Sequence, residues 1–266
     1  MTAGRWIDAH IHVDLYAEEE REALLDEAFA NDGIAAVVAV SMHLSSSRTN
    51  HELALRYIGQ VLPAYGLHPE QPLPSKAELD QLFDWIGERY IGGETFAIGE
   101  VGLPYYTRTE AEAAGLLFEM QPYLELLERF VELAAALDRP IVLHAVYEDA
   151  EQTCDLLERY GIRRAHFHWF KGSDEVVERM IKAGHYISIT PDVLYEEEIR
   201  RLVQRYPMTL MMTETDGPWP FEGPFEGKAT KPAMVRKVAE AIADLKGIPV
   251  LEAEARLLKN AIDFYT

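Results

Sequence analysis

Apolar residues along the chain fall into two recurring patterns. Short runs rich in Val, Ile and Ala alternate almost from end to end with longer stretches in which apolar positions return every three or four residues, the spacing of a helix with one buried face. The strand-type runs are Trp6–His12, Ala35–Ser41, Leu62–Leu67, Phe96–Val101, Ile141–His144, Ala165–Trp169, Tyr186–Thr190 and Thr209–Thr213. Strand alternating with helix is the pattern of βα units and a parallel sheet. The number of runs matches the eight strands of a TIM-type barrel, so the expected fold class is α/β, a (β/α)8 barrel.

Local chemistry marks the helices. The segment Glu18–Asn31 carries Leu24, Leu25, Ala28 and Phe29 at helical spacing. Ser75 and Glu78 form a capping-box pattern ahead of LDQLFDWI, and Gly161 stands where an expected helix over Asp149–Tyr160 would stop. After the last strand, GPWPFEGPFEGKATKP is too rich in Gly and Pro for regular structure, and two helical segments covering Lys231–Phe264 follow. No linker, repeat or low-complexity tract divides the chain, so residues 1–266 are expected to form one domain with extra C-terminal helices.

Composition narrows the function. Asp and Glu total 45 against 25 Lys and Arg, giving a formal charge of −20. Such a surface lacks the basic footprint of a protein that grips duplex nucleic acid, so a phosphate-bearing substrate has to be attracted locally, most simply by bound cations. Cys154 is the only cysteine, which excludes an intramolecular disulfide and suits a reducing compartment. The N-terminal MTAGRWIDAH lacks a basic segment followed by an apolar run, and no apolar stretch is long enough to span a bilayer. A cytoplasmic protein with no membrane association and no obligate protein partner is expected.

In a barrel the active site is built at the C-terminal ends of the strands, and polar residues gather there. The first strand ends in IDAHIHVD, where His10 and His12, two apart, point the same way and can converge on one ion. A chain with nine histidines can also hold such a pair by chance, so the pair alone does not separate ligand from structural residue. FAIGEVGLPYY leaves Glu100 in the barrel mouth, where a carboxylate needs a metal or a basic partner to neutralise it. PIVLHAV supplies His144, and RAHFHWFKGS offers His166 and His168, of which His168 is nearer the strand end. LMMTETDGPWP leads into Glu214 and Asp216; Asp216 is closer to the rim, but an Asp before Gly-Pro also suits a turn. Imidazoles and carboxylates arriving from five strands suit divalent zinc, manganese, iron or magnesium, and a bridging carboxylate allows two ions side by side.

With IDAHIHVD, YGLHPE, AIGEVGL, PIVLHA, HWFKGS and ETDGP in that order, and GK..KP and NAIDFY near the end, the sequence resembles the TatD family of metal-dependent deoxyribonucleases, within the amidohydrolase-like barrels. The resemblance implies two divalent metal ions, one held by His10, His12 and Asp216, the other by His144 and His168, with Glu100 bridging them. It also implies that His68 lies near the substrate; from the residues alone His68 could equally be a turn residue before Pro69. Three stretches depart from the family pattern: Pro104 where an Asp usually follows Gly-Leu, Val146 where an arginine usually stands two positions after the strand-five histidine, and Trp169-Phe170-Lys171-Gly172 in place of Cys-Phe-Ser-Gly. A phosphate-binding arginine is thus gone from one place, while Lys171 offers a cation in another.

The expected chemistry is hydrolysis by a hydroxide bridging two ions, with Asp216 orienting the water and taking its proton and Glu100 as the second catalytic group. Phosphodiesters are expected, as in a deoxyribonuclease of the TatD type, with DNA 3′ ends or small nucleotides as the leading substrates. A small amide, lactone or ester is the rival, and a metal-binding scaffold without turnover is the reading from another class. Trp219, with Phe221 and Phe225, either stacks on a base or packs its loop onto the rim, and Trp169 carries the same two readings.

Overall fold

The computed structural model describes residues 6–266. The reading of the first five residues as lacking a leader lies outside the described residues. In chain order the regular elements begin β1 (Trp6–Ile11), α1 (Glu18–Ala30), β2 (Ile34–Ala39), α2 (Leu44–Arg56), β3 (Val61–Tyr65), α3 (Lys76–Ile91) and β4 (Ala97–Gly102). Two helices, α4 (Tyr105–Ala113) and α5 (Gln121–Leu137), precede β5 (Ile141–His144). The chain continues with α6 (Glu148–Arg159), β6 (Ala165–Phe167), α7 (Asp174–Ala183), β7 (Tyr186–Ile189), α8 (Glu197–Arg205), β8 (Met211–Thr213), α9 (Val235–Lys246) and α10 (Val250–Tyr265).

All neighbouring strands pair in parallel, in sequence order, into one eight-stranded sheet. The seam from β8 back to β1 is closed partly by side chains. Thr213 Oγ1 donates to Ile7 O at 3.0 Å, and Asp8 accepts from both the backbone and the hydroxyl of Thr215. Farther up, Asp216 N donates to His10 O at 2.9 Å and His12 N to Gly217 O at 2.8 Å. The result is a nearly closed (β/α)8 barrel, and the helices pack on its outside through two apolar clusters.

The interior of the barrel is filled mostly by small and branched residues, among them Ile7, Ala9, Ala36, Val38, Ala64, Ala97, Val142 and Met212. From one end, Phe264 and Tyr265 of α10 pack into the same cluster. The Tyr265 hydroxyl lies 3.2 Å from Ala9 O and 2.7 Å from His166 Nδ1, so the last helix is part of the barrel core.

Two irregularities set what faces inward. On β1, Asp8 pairs with Val37 and Ile11 with Ala39, so three steps on one strand face two on the other. Ala9 joins the interior cluster while Ile11 packs outside with Leu25 and Val37, and the extra residue between them brings His10 to the inner side as well. On β4 the same mismatch falls between Ile98, paired with Ile141, and Val101, paired with Leu143. Glu100 turns inward there. Its neighbours are small by necessity: a Cβ on Gly102 would lie 1.9 Å from His144 O, and one on Gly99 2.7 Å from the Val142 side chain.

Several expected boundaries shift. The last strand begins at Met211 because Met208–Leu210 forms a single 3-10 turn after Pro207. The sixth ends at Phe167, since Trp169 adopts a positive φ of 37° that breaks extended backbone. The third ends at Tyr65, ahead of Gly66, which is packed against the β4 backbone. The Ser75/Glu78 capping box forms, and Gly161 takes the left-handed conformation expected after a helix. Among the described residues no helix is long and apolar enough to cross a membrane.

Because the end of α10 packs into the barrel interior, trimming its side chains there is costly. Phe264, 1% exposed, is expected to cost about 3–5 kcal/mol on replacement by Ala, measured by urea unfolding; a loss below 1 kcal/mol would show that α10 is only an outer layer.

Candidate metal centre

The strand ends bring the candidate residues together around one carboxylate. Glu100 is fully buried, and five imidazoles reach it. His10 Nε2 lies 3.0 Å and His12 Nε2 3.2 Å from Oε2; His168 Nε2 lies 2.7 Å, His144 Nδ1 3.0 Å and His68 Nε2 3.3 Å from Oε1. Asp216 Oδ1 approaches the first pair at 3.3 Å from His10 and 3.5 Å from His12. Asp216 owes this position to a left-handed backbone, φ 49°, in the turn that carries the chain across the seam to β1.

These contacts are short without all being hydrogen bonds. Both ring nitrogens of His10, Oε2 of Glu100 and Oδ1 of Asp216 are buried and have no aligned partner among the described residues. Buried polar atoms are rarely left so. An ion with bonds of about 2.0–2.2 Å holds adjacent ligand atoms roughly 2.9–3.5 Å apart, close to the separations seen here, so the donor set fits divalent cations. Four groups have the required clustering: His10/His12/Asp216, Glu100/His144/His168, His12/His68/Glu100 and His10/His168/Glu214.

Burial by itself raises the Glu100 carboxyl, but the surrounding imidazoles, His168, His68 and His10 foremost, outweigh it and hold the group well below its usual range. Asp216 follows the same balance, burial against His10, and is also lowered. For His10, burial is overcome by the charge of Glu100 and the contact with Asp216, and its pKa rises well above normal. His144 is pushed up to about 9: burial opposes protonation, but hydrogen bonds to Glu100 and Glu70 prevail. Burial wins at His168, held down at about 4, and at His68, also lowered; as neutral rings each still offers an N–H to Glu100.

His166 lies outside this group. Its Nδ1 faces the Tyr265 hydroxyl and its Nε2 the Ser188 hydroxyl at 2.5 Å, so both ring nitrogens are spent inside the barrel. Ser188 in turn donates to Glu214 at 2.6 Å, and the other Glu214 oxygen accepts from Trp169 N at 2.7 Å. Glu214 therefore serves the barrel wall, with His168 Nδ1 3.8 Å away, and burial raises its pKa to about 8.

A cavity of ≈ 720 Å³ opens over the cluster, with His68, Val146, Lys171 and Trp219 in its wall. Lys171 is the only lysine or arginine lining it among the described residues. Its Nζ sits 5.7 Å from the centre of the Trp169 ring, whose indole N–H is tied to Asp192 at 2.6 Å. The rim aromatics differ in exposure. Phe221 and Phe225 pack with Met234 under the loop, whereas Trp219 is 58% exposed beside the cavity.

Sequence reasoning missed Glu70, in the same cavity wall. Its Oε1 lies 3.2 Å from His144 Nε2, and the carboxylate also accepts from the backbone N–H groups of Tyr106 and Thr107. The motif YGLHPE contains Glu70, but the partners that give it a role lie more than 30 residues away, on α4 and β5.

A nearly closed (β/α)8 barrel with a buried imidazole–carboxylate cluster at its mouth is the architecture of a metal-dependent hydrolase. The family model described as TatD related DNase matches residues 7–266, and the chain belongs to the TatD family. It is 36% identical to an uncharacterized metal-dependent hydrolase of Haemophilus influenzae over 97% of this chain and 98% of that protein. It is 30% identical to human deoxyribonuclease TATDN3 over 97% and 94%. Among solved structures, YJJV, the TatD homolog from Escherichia coli K12, superposes with a TM-score of 0.84 at 25% identity, covering 99% of each chain.

Metal loading must displace protons. A ring coordinates only through a lone pair, and with its pKa at about 9 the His144 ring is protonated on both nitrogens at pH 7 in the ion-free chain. Zinc binding at pH 7 is therefore expected to release protons, with apparent affinity rising as pH increases toward 9. Calorimetry in buffers of different ionisation enthalpy measures the release, and a value of zero at pH 7 would contradict this electrostatic picture.

Proposed function

We propose that the chain hydrolyses phosphodiesters at two divalent ions, one held by His10, His12 and Asp216, the other by His144 and His168, with Glu100 between them. The observation carrying this reading is the set of buried, unpartnered ligand atoms spaced as a coordination shell requires. Zinc, manganese, magnesium and iron all accept imidazole and carboxylate donors, so the donor set names the class of ion rather than the element. When bound, such ions acidify water toward neutral pH and stabilise charge developing on a phosphoryl oxygen.

The chain's own residues have separable tasks. Asp216 is ionised and at the cavity wall, where it orients an attacking water and takes its proton. Glu100 holds the imidazoles of both halves of the site in one geometry. Lys171 supplies a cation for a phosphate oxygen, and His68 offers an N–H above Glu100. Trp219 presents an indole on which an unstacked base can lie, an interaction that needs no basic surface. Nucleic-acid ends or small nucleotides fit these features and the −20 charge better than an internal stretch of duplex. The deoxyribonuclease name of the human relative supports the same substrate class.

A carbonyl substrate, such as a lactone, small ester or amide, is the second reading. Val146, buried in the cavity wall with no charge to offer, favours it.

A metal-reconstituted preparation assayed on a chromogenic phosphodiester and on a lactone and amide panel separates the two. Phosphodiester turnover is expected to dominate, and His12→Ala and Glu100→Ala are each expected to lower it at least about a hundredfold, since even outer-shell changes at metal sites cost 10–100-fold. Full activity in either variant, or turnover confined to the carbonyl panel, would overturn the phosphodiesterase reading.

A further inference from the structure

Glu70 sits where three elements meet. Oε1 faces His144 Nε2 at 3.2 Å and accepts from Tyr106 N at 2.8 Å; Oε2 accepts from Thr107 N at 2.7 Å. The last two donors belong to the first turn of α4, so Glu70 caps that helix from outside it. Its own backbone N–H donates to His68 Nδ1 at 3.1 Å. One residue thus contacts two of the imidazoles around Glu100, once through its carboxylate and once through its main chain.

Each contact has a fixed sense. An ionised carboxylate only accepts, so Glu70 holds a proton on His144 Nε2; Nδ1, 3.0 Å from Glu100 and 3.2 Å from His168, faces the cluster, and it is the nitrogen that gives up its proton when an ion binds there. A backbone N–H only donates, so His68 Nδ1 is an acceptor and the proton of its neutral ring is on Nε2, facing Glu100 at 3.3 Å. In the loaded site the two rings would hold the same tautomer and present opposite ends to the centre.

We propose that Glu70 is the positioning residue that makes His144 a ligand through Nδ1 and keeps His68 an N–H donor instead of a ligand. The inference rests on the reading of His144 as a metal ligand. Of the four residue groups with metal-binding spacing, it removes the one that relies on a His68 lone pair. It keeps the one N–H of His68 directed at Glu100, and it ties the His144 side of the site to α4, which contributes Tyr106, Thr107 and Glu110 to the cavity wall. A carboxylate on the far nitrogen of a metal-bound imidazole fixes ring orientation and raises its basicity.

Zinc titration of the full chain with Glu70→Ala and Glu70→Gln, combined with 15N NMR of the imidazoles in the zinc-loaded protein, tests this. The wild type is expected to bind two ions, with Nε2–H tautomers at both His68 and His144. Glu70→Ala is expected to weaken one ion, and only one, by about 10–100-fold. In that variant His144 loses its single tautomer, while His68 keeps its own because its donor is backbone. Glu70→Gln retains an oxygen for His144 Nε2–H but not both bonds to α4, and is expected to recover zinc affinity to within a few fold. Equal zinc binding by wild type and Glu70→Ala overturns the proposal, as does an Nδ1–H tautomer at His68. Loss in Glu70→Gln as deep as in Glu70→Ala also overturns it, because the effect would then come from α4. A wild type that binds no zinc removes the metal-site reading itself, and the role of Glu70 with it.

Discussion

A buried carboxylate needs compensating charge, and Glu100 is the group around which this end of the barrel is organised. An isolated carboxylate costs several kcal/mol to bury even after the surroundings relax. Here the cost is met by imidazoles from β1, the segment after β3, β5 and the segment after β6, with Asp216 beyond β8 completing the ring. The backbone is shaped to the same end. A one-residue mismatch in β4 turns Glu100 inward, a matching one in β1 turns His10 inward, and two glycines let β5 approach closely enough to present His144.

Polar groups deeper in the barrel stabilise the walls without joining the centre. Asp8 bonds Thr215 across the seam, and the series Tyr265, His166, Ser188, Glu214 and Trp169 N links α10 to the turn that follows β6. These hydrogen bonds leave few buried polar atoms of the wall unsatisfied. Among the described residues, unpartnered buried atoms also occur at Trp6, Asn50, Arg108, His185 and other separate places, but at the mouth five residues, His10, His12, Glu100, His168 and Asp216, bring theirs together around one carboxylate. Donor atoms gathered within ligand distance of one another, several of them without a partner, are what a site for ions requires.

Much of this was legible in the sequence. Alternating strand-type and helix-type runs foretold the eight parallel strands, and strand-end logic placed His10, His12, Glu100, His144, His168 and Asp216 at one end, where they are found. The choice of His168 over His166 has a physical reason that only coordinates show: His166 is consumed by Tyr265 and Ser188, partners 99 and 22 residues away. Strand ends were harder to place, because Trp169 and the turn after Pro207 obey local backbone preferences that apolar content does not reveal. Glu70 was invisible for the same reason as the bulges. Its role depends on what the fold brings opposite it, and YGLHPE alone does not say that α4 begins there.

The central claim is that Glu100 lies between two divalent ions. Anomalous diffraction from zinc-soaked crystals, collected on both sides of the zinc edge, tests it most directly. The account predicts two strong peaks flanking the Glu100 carboxylate, one against His10, His12 and Asp216 and the other against His144 and His168. A site without zinc, or with zinc held by His68 in place of His144, would contradict it.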